Sequence, residues 1–178
     1  MADEDRYSRQ ELIPGWDQER LLKSSVVVVG VGAIGSYVST ILASSGVGSL
    51  HLIDFDTIEL SNLNRQLLFR EDDIGKPKVN VAAEKLKQLN PDVKIFAYNK
   101  KMENVSVSIY QNADVIIGCL DTFIGRRWIN SMALRVRKPL ILGGMYAFLG
   151  DVQVIIPYKT PCFECQPLVA ESELAQAC

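Results

Sequence analysis

The sequence predicts an α/β fold in which a mostly parallel sheet is flanked by helices. Apolar runs of strand length at residues 26–29, 50–53, 93–97, 115–119, 140–142 and 152–156 alternate with segments of helical periodicity. Such alternation is typical of parallel sheets that carry helices on both faces. After residue 144 the helical segments stop and short apolar–polar repeats end at Pro157 and Pro161, which predicts an antiparallel extension toward the C-terminus.

The composition indicates one globular domain. The chain has 178 residues, 48% of them hydrophobic, and no linker or low-complexity tract, so we expect residues 1–178 to form a single domain. A net charge of −2 argues against a nucleic-acid-binding protein. No apolar run is long enough to cross a membrane and the acidic N-terminus lacks a signal-peptide core, so we expect a cytoplasmic protein with neither nucleic-acid nor membrane partners.

The first strand leads into a glycine-rich turn and then a helix. In the turn, residues 30–35, Gly30, Gly32 and Gly35 follow the pattern G-x-G-x-x-G, with Ala33 between the last two. Gly30 and Gly32 let the backbone approach a ligand, and Gly35 lets the helix pack against the strand. Free N–H groups at the start of the helix bind phosphate, so this Rossmann-like unit predicts a nucleotide site.

The second strand places an acidic residue at the same edge of the sheet. It ends at Asp54, about twenty residues after the glycines, where a carboxylate accepts hydrogen bonds from a ribose hydroxyl. This arrangement fits NAD as well as ATP.

The polar block that follows favours a triphosphate. Arg65 and Lys78 add two cations, accompanied by Asn62 and Gln66, whereas a pyrophosphate is already bound by the helix N-terminus. Lys78 falls in the first turn of a helix that begins after Pro77, near the expected phosphates. Ordinary surface charge is the alternative explanation for both cations.

Taken in order, the motifs resemble those of the ubiquitin-activating-enzyme-like adenylyltransferases. The resemblance runs from about Arg6 to the end and covers the eukaryotic-type activating enzymes as well as the bacterial adenylyltransferases of molybdopterin and thiamine biosynthesis. Residues 121–130, with an Asp, paired arginines and an Asn, are more similar to the eukaryotic-type branch. The motifs are Arg6-Tyr7-Ser8-Arg9-Gln10, the glycine turn, Asp54-Phe55-Asp56, Ser61-Asn62-Leu63-Asn64-Arg65-Gln66, Gly75-Lys76-Pro77-Lys78, Cys119-Leu120-Asp121 and Cys162-Phe163-Glu164-Cys165.

The resemblance implies that MgATP adenylates the C-terminal glycine of a ubiquitin-like protein ending in Gly-Gly. It makes Asp121 the Mg²⁺ ligand, although an Asp that caps the following helix is the alternative. Asp56 either supports its loop or lies near the metal. Arg9 is the arginine that such enzymes donate across a two-fold interface, which implies a homodimer, and a solvated surface charge is the alternative. The phosphates are then surrounded by Asn62, Arg65, Gln66 and Lys78.

Three cysteines near the C-terminus carry further expectations. Cys162 and Cys165 supply half of a tetrahedral zinc site, whose other two ligands would come from a missing C-terminal segment or another chain. A redox-active pair is the alternative. By resemblance, Cys178 takes the modifier from the adenylate as a thioester before a possible downstream conjugating enzyme receives it, and a spectator thiol is the alternative.

Other functions remain open at this point. A sulfur-carrier adenylyltransferase performs the same first step without conjugation, and an inactive scaffold subunit of a heterodimeric activating enzyme would share the fold. An NAD-dependent oxidoreductase would have no use for Lys78. The basic residues of the segment after Asp121 indicate either a binding face for an acidic modifier or phosphate, or a solvated helix face. These residues are Arg126, Arg127, Arg135, Arg137 and Lys138.

Overall fold

The computed structural model describes residues 6–165. The predicted nucleophile Cys178 therefore lies outside the described residues. Within residues 6–165, six strands form one sheet in the order β3-β2-β1-β4-β5-β6. The strands are β1 (Ser25–Val29), β2 (Ser49–Asp54), β3 (Lys94–Asn99), β4 (Val115–Gly118), β5 (Leu140–Tyr146) and β6 (Leu149–Ile155).

In the described part of the chain, five α-helices connect or flank the strands. They are α1 (Gln18–Lys23), α2 (Ala33–Ser45), α3 (Lys78–Leu89), α4 (Val107–Asn112) and α5 (Phe123–Val136). Short 3₁₀ helices lie at Gln10–Leu12, Leu60–Asn62, Glu71–Asp73 and Met102–Asn104. No helix among residues 6–165 combines the length and the apolar composition needed to span a membrane.

The central strand β1 explains why both faces of the sheet are covered. Val26 and Val28 point to one face, where α2 and α3 contribute to the first apolar cluster, and Val27 and Val29 point to the other, where α4 and α5 contribute to the second. A strand that is buried on both faces reads as a continuous apolar run, as residues 26–29 do. The predicted α/β class with helices on both faces is confirmed.

The strand pairings also confirm the predicted topology. The β1–β2, β1–β4, β2–β3 and β4–β5 pairs are parallel, and β5–β6 is antiparallel. The main difference from the predicted strands is the length of β5, which was expected to end at residue 142. It continues through Gly143 and Gly144 and pairs with β6 as far as Tyr146, opposite Leu149. The glycines therefore lie inside a hairpin strand.

Candidate nucleotide site

A cavity of about 830 Å³ opens at the carboxyl end of the parallel strands. Val29 at the end of β1, Gly30 directly after it, Asp54 at the end of β2 and Cys119 directly after β4 lie in its wall. The chain runs from β1 outward to β2 and β3 and then crosses to β4 on the other side of β1. Open α/β sheets bind their ligands at such a switch in strand order.

Most of the residues predicted to bind the nucleotide line this one cavity. Gly35 is the exception, since it lies behind the turn, where an added Cβ would approach the carbonyl oxygen of Gly30 to 1.9 Å. The predicted residues in the cavity wall are Gly30, Gly32, Ala33, Asp54, Asp56, Asn62, Arg65, Gln66, Lys78 and Asp121. They come from five separate segments of the chain.

The glycine turn has a conformation that other residues would disturb. Gly30 has a φ of +90°, and a Cβ there would lie 2.6 Å from the carbonyl oxygen of Cys119. Gly32 is the N-cap of α2. The N-terminus of this helix of 13 residues therefore faces the cavity with its unpaired N–H groups, an arrangement that favours an anion.

Asp54 fixes the turn as well as lining the cavity. Its Oδ2 accepts a hydrogen bond from the Val31 N–H at 2.7 Å, and its Oδ1 accepts one from the Asp56 N–H at 2.9 Å. Burial raises the pKa of Asp54 above its usual value, against the opposing effects of these two N–H groups and of Lys78. Each carboxylate oxygen retains a lone pair for a ligand hydroxyl.

The raised pKa of Asp54 predicts a pH dependence of stability. An acid whose pKa is higher in the folded protein stabilises it fully below the unfolded pKa, near 3.8, and this contribution is lost as pH rises through the folded pKa. We expect the free energy of unfolding of the wild type to fall relative to that of Asp54→Asn as the pH rises above about 4, the unfolded pKa. Urea titrations of both proteins measure this difference, and a rise with pH would show that burial is not the dominant effect.

The segment that carries Asn62, Arg65 and Gln66 is held by its own hydrogen bonds. Asn62 is buried and its Oδ1 accepts from the Glu59 N–H at 3.1 Å, while Arg65 donates through Nη1 to the Ser61 carbonyl at 2.8 Å. Gln66 is also buried, and its Oε1 has no donor among residues 6–165. A buried amide oxygen without a donor in a cavity wall fits contact with a ligand.

Lys78 forms an ion pair that sequence reasoning did not foresee. Its Nζ lies 3.0 Å from Asp56 Oδ2, and its backbone N–H donates to the Asp56 carbonyl at 3.0 Å. The Lys78 side chain is only 8% exposed, whereas that of Asp56 is 51% exposed. Asp56 thus pairs with the ammonium group of a buried lysine at the first turn of α3, in the wall of the same cavity as the glycine turn.

Asp121 is exposed to the cavity and does not cap α5. The N-cap is Thr122, whose Oγ1 accepts from the Gly125 N–H at 3.2 Å. Asp121 makes no hydrogen bond or ion pair with any residue of the described range. The capping alternative is therefore wrong, and the carboxylate remains available to a cation.

The cavity wall contains two groups that the sequence did not predict, and the first is a pair formed by Lys101 and Phe55. Lys101 Nζ lies 5.6 Å from the centre of the exposed Phe55 ring, and Met102 follows it in the wall. An aromatic face with a cation above it suits a flat base. No motif marks this pairing, because the two residues are 46 positions apart in unrelated segments.

Arg126 is the second group in the cavity wall that the sequence did not predict. It was predicted only as one member of a basic face, but it is buried and lines the cavity. Its Nε donates to the Leu120 carbonyl at 2.9 Å. Neighbouring Arg127 is exposed and pairs with Glu164 at 2.9 Å. The two arginines therefore have different roles.

The segment that carries Arg9 is anchored away from the cavity. Tyr7 accepts a hydrogen bond from Asn90 Nδ2 at 2.8 Å, and Gln10 donates to the Ser45 carbonyl at 2.9 Å. Both anchors lie at the C-terminal ends of helices, α3 and α2, whereas the cavity lies at their N-terminal ends. Arg9 is exposed and does not line the cavity.

Cys162 and Cys165 form a compact turn docked on α5. Their Sγ atoms are 3.4 Å apart, the Phe163 N–H donates to Asn130 Oδ1 at 3.1 Å, and the Phe163 ring is buried. Burial acts to raise the pKa of Cys162, but hydrogen bonds from the Cys165 thiol and nearby N–H groups lower it overall. No third metal-ligating side chain joins the pair within residues 6–165.

Comparisons with known proteins place these features in a family. Residues 7–178 match the ThiF family. The chain is 39% identical over 156 residues to the Nedd8-activating enzyme E1 catalytic subunit of Drosophila melanogaster, covering 80% of this chain and 35% of that protein. It is 37% identical over 172 residues to the sulfur carrier protein ThiS adenylyltransferase of Escherichia coli K12, covering 93% and 68%.

Comparison with solved structures agrees with these sequence matches. The crystal structure of Escherichia coli MccB with ATP has a TM-score of 0.82 at 30% identity, and the match covers 99% of this chain and 60% of that one. The chain spans 35% to 68% of the length of these relatives. Nearly equal identities to a modifier-activating and a sulfur-carrier enzyme do not separate the two branches. The resemblance in the sequence motifs is nevertheless confirmed, and the chain belongs to the ThiF family.

Proposed function

We propose that this protein uses ATP to adenylate the C-terminal glycine of a small ubiquitin-like protein that ends in Gly-Gly. The observation that supports this most is the convergence of Arg65, Lys78 and Asp121 on the cavity that the glycine turn also lines. The pyrophosphate of a dinucleotide is already bound by the helix N-terminus and needs no additional cations or carboxylate. A triphosphate with a divalent cation needs both, and Arg65, Lys78 and Asp121 provide them.

The residues have distinct roles in this reaction. The glycine turn and the N-terminus of α2 bind phosphate oxygens, and Asp54 accepts from the ribose. Gln66 offers its unpaired amide oxygen to a donor group of the nucleotide. The cation–π pair formed by Lys101 and the Phe55 ring contacts the base.

The chemical step requires positioning and charge neutralisation. The terminal carboxylate of the modifier is ionised at neutral pH, so it attacks the α-phosphorus without a general base. A bond forms between that oxygen and the phosphorus while the bond to the bridging oxygen breaks, and pyrophosphate leaves with the extra negative charge. Arg65 and Lys78 stabilise this charge. Asp121 fits a Mg²⁺ ligand, and the ion, when bound, would neutralise phosphate charge.

The test is ATP–pyrophosphate exchange by the full-length protein with candidate proteins that end in Gly-Gly. Exchange that depends on such a protein supports the proposal, and its absence with every candidate favours an inactive scaffold subunit. A non-reducing gel then compares the wild type with Cys178→Ala. An adduct that the variant loses supports a thioester at Cys178, the intermediate that a conjugation pathway with a downstream enzyme requires.

A sulfur-carrier adenylyltransferase is the second candidate. It is favoured by the 37% identity to the ThiS adenylyltransferase, which extends over 93% of this chain. Exchange without an adduct at Cys178 would support it. The adenylation step and the residues that perform it are the same in both proposals.

We also propose that Arg9 acts in the site of a second copy of this chain. Its segment is anchored at the ends of α2 and α3 that lie away from the cavity, so Arg9 does not line the cavity of its own chain. The resemblance in the sequence motifs assigns such an arginine to the site of a second copy. Mixing Arg9→Ala with a variant that is inactive at its own Asp121 tests this arrangement. In a heterodimer of the two variants, only the site with an intact Asp121 receives Arg9 from its partner, so one site of the two should regain activity. If Arg9→Ala loses activity although the protein forms no dimer, the proposal is contradicted.

We propose a zinc site that begins with Cys162 and Cys165. Two thiolates that bind one tetrahedral zinc ion lie roughly 3.8 Å apart for Zn–S bonds of about 2.3 Å, and the observed 3.4 Å is close to this. We expect purified full-length protein to contain about one zinc ion per chain, and Cys162→Ser to lose it. Elemental analysis measures both, with Cys119→Ser as the control, because burial raises the pKa of Cys119 to about 12. Retention of zinc by Cys162→Ser would contradict the proposal.

A further inference from the structure

Arg126 links the segment that carries Asp121 to the hairpin on the other side of the cavity. Its side chain is 5% exposed and starts from the first turn of α5. Nε donates to the Leu120 carbonyl at 2.9 Å, and Leu120 immediately precedes Asp121. The backbone position of Asp121 is thus tied to a buried guanidinium group rather than to the exposed loop alone.

The other end of the guanidinium contacts the β5–β6 hairpin. Nη2 lies 3.5 Å from the Gly143 carbonyl, and Nη1 lies 3.9 Å from Asp151 Oδ2, which has no hydrogen-bond donor among residues 6–165. A planar guanidinium with its donors at fixed angles can hold two backbone segments at a set distance. A lysine ammonium cannot reproduce this fork.

Gly144 provides the space that the guanidinium occupies. A Cβ on Gly144 would lie 2.4 Å from Arg126 Nη2 and 2.5 Å from Asp151 Oδ1. A Cβ on the adjacent Gly143, which faces the opposite side of the sheet, would only contact Ile34 at 3.4 Å. Of the two neighbouring glycines, Gly144 is therefore the one that Arg126 requires.

We propose that Arg126 is a positioning residue for Asp121. It sets the distance between the metal-binding carboxylate and the β5–β6 hairpin, so that a divalent cation bound at Asp121 meets the nucleotide phosphates in a fixed place. The inference rests on the proposed role of Asp121 as a Mg²⁺ ligand. It does not depend on which protein is adenylated.

The test is the binding of a non-hydrolysable ATP analogue to the full-length protein, measured by calorimetry with Mg²⁺ and again with EDTA. For Arg126→Lys and Gly144→Ala we expect the gain in affinity due to Mg²⁺ to shrink by about 10-fold, as is typical when a group that orients a metal ligand is lost. Binding in EDTA should stay within about two-fold of the wild type, since the glycine turn and Lys78 are unchanged.

Two matched controls separate positioning from a general loss of structure. Arg127→Lys changes the neighbouring arginine, and Gly143→Ala changes the neighbouring glycine, and both should keep the full Mg²⁺ effect. Equal losses with Mg²⁺ and with EDTA, together with a lower melting temperature, would overturn the inference in favour of a purely structural role. Arg126→Lys adds no atom to the crowded space beside Gly144, so we expect it to fold. If Gly144→Ala does not fold, Arg126→Lys alone decides the test.

The outcomes also separate this inference from the proposed function. A wild type whose affinity does not depend on Mg²⁺ would overturn the metal role of Asp121 and the positioning role of Arg126 together. A normal Mg²⁺ effect that Arg126→Lys diminishes, with no exchange for any Gly-Gly protein, would support Arg126 and reject only the substrate.

Discussion

Replacing Asp121 by asparagine is expected to slow adenylate formation by about 100-fold or more. The substitution keeps the size of the side chain and removes the negative charge that binds Mg²⁺. Without the cation in its place, charge on the phosphates is not neutralised as pyrophosphate leaves. Modifier-dependent ATP–pyrophosphate exchange, measured over a range of Mg²⁺ concentrations, gives the size of the effect.

The fold should tolerate this substitution. Asp121 is exposed and has no partner among residues 6–165, and the N-cap of α5 is Thr122. Surface substitutions away from caps and buried pairs change the free energy of unfolding by about 0.5 kcal/mol or less. The melting temperature of Asp121→Asn should therefore equal that of the wild type within error.

A matched control is Asp72→Asn, which removes an exposed carboxylate in the 3₁₀ helix Glu71–Asp73, outside the cavity. Its exchange rate should match the wild type at every Mg²⁺ concentration. An Asp121→Asn enzyme that also matches the wild type would reject the metal role. A large fall in its melting temperature would instead show that Asp121 supports the fold.

The placement of the cavity residues could be predicted because of a general property of parallel sheets. The carboxyl ends of neighbouring parallel strands meet at one edge, so Gly30, Asp54 and Asp121, each at or soon after the end of a strand, line the same cavity. Local signals were equally sufficient for α3, which the structure begins at Lys78 after Pro77 and ends before Asn90. These features depend only on short stretches of sequence and on the order of strands.

The buried arginine was missed although a signal was present. Gly125, Arg126, Ile129, Asn130 and Ala133 are all buried in α5 and recur at helical spacing. This period places Arg126 on the inner face and Arg127 on the outer face. The paired arginines hid the pattern, because charged residues are seldom fully buried without a partner.

Other contacts had no sequence signal. The pairing of Lys78 with Asp56, and that of Lys101 with Phe55, joins side chains from segments whose separation along the chain follows no repeat. Such contacts depend on where loops cross above the sheet edge. Motif order can place both partners near the ligand, but only the three-dimensional arrangement shows that Asp56 contacts the lysine directly.

Replacing Lys78 by methionine is expected to lower the exchange rate by about 100-fold. Methionine fills a similar volume at this position, which is 8% exposed, and removes the ammonium group. The main loss is stabilisation of the charge that builds up on the leaving pyrophosphate. Exchange kinetics should show a fall in the maximal rate that is larger than any change in the apparent affinity for ATP, because the charge grows mainly in the transition state.

The matched control is Lys76→Met, two residues earlier. Lys76 is more than half exposed and pairs with Asp73 at 3.5 Å, so its loss should leave the exchange kinetics unchanged. The stability cost of Lys78→Met should also be small, about 1 kcal/mol, since its half-exposed partner Asp56 regains water when the ammonium is removed. A Lys78→Met enzyme that binds ATP more weakly but keeps its maximal rate would contradict the proposed role in pyrophosphate departure. Lys78 would then contribute only to ground-state binding, and Arg65 alone would have to stabilise the leaving group.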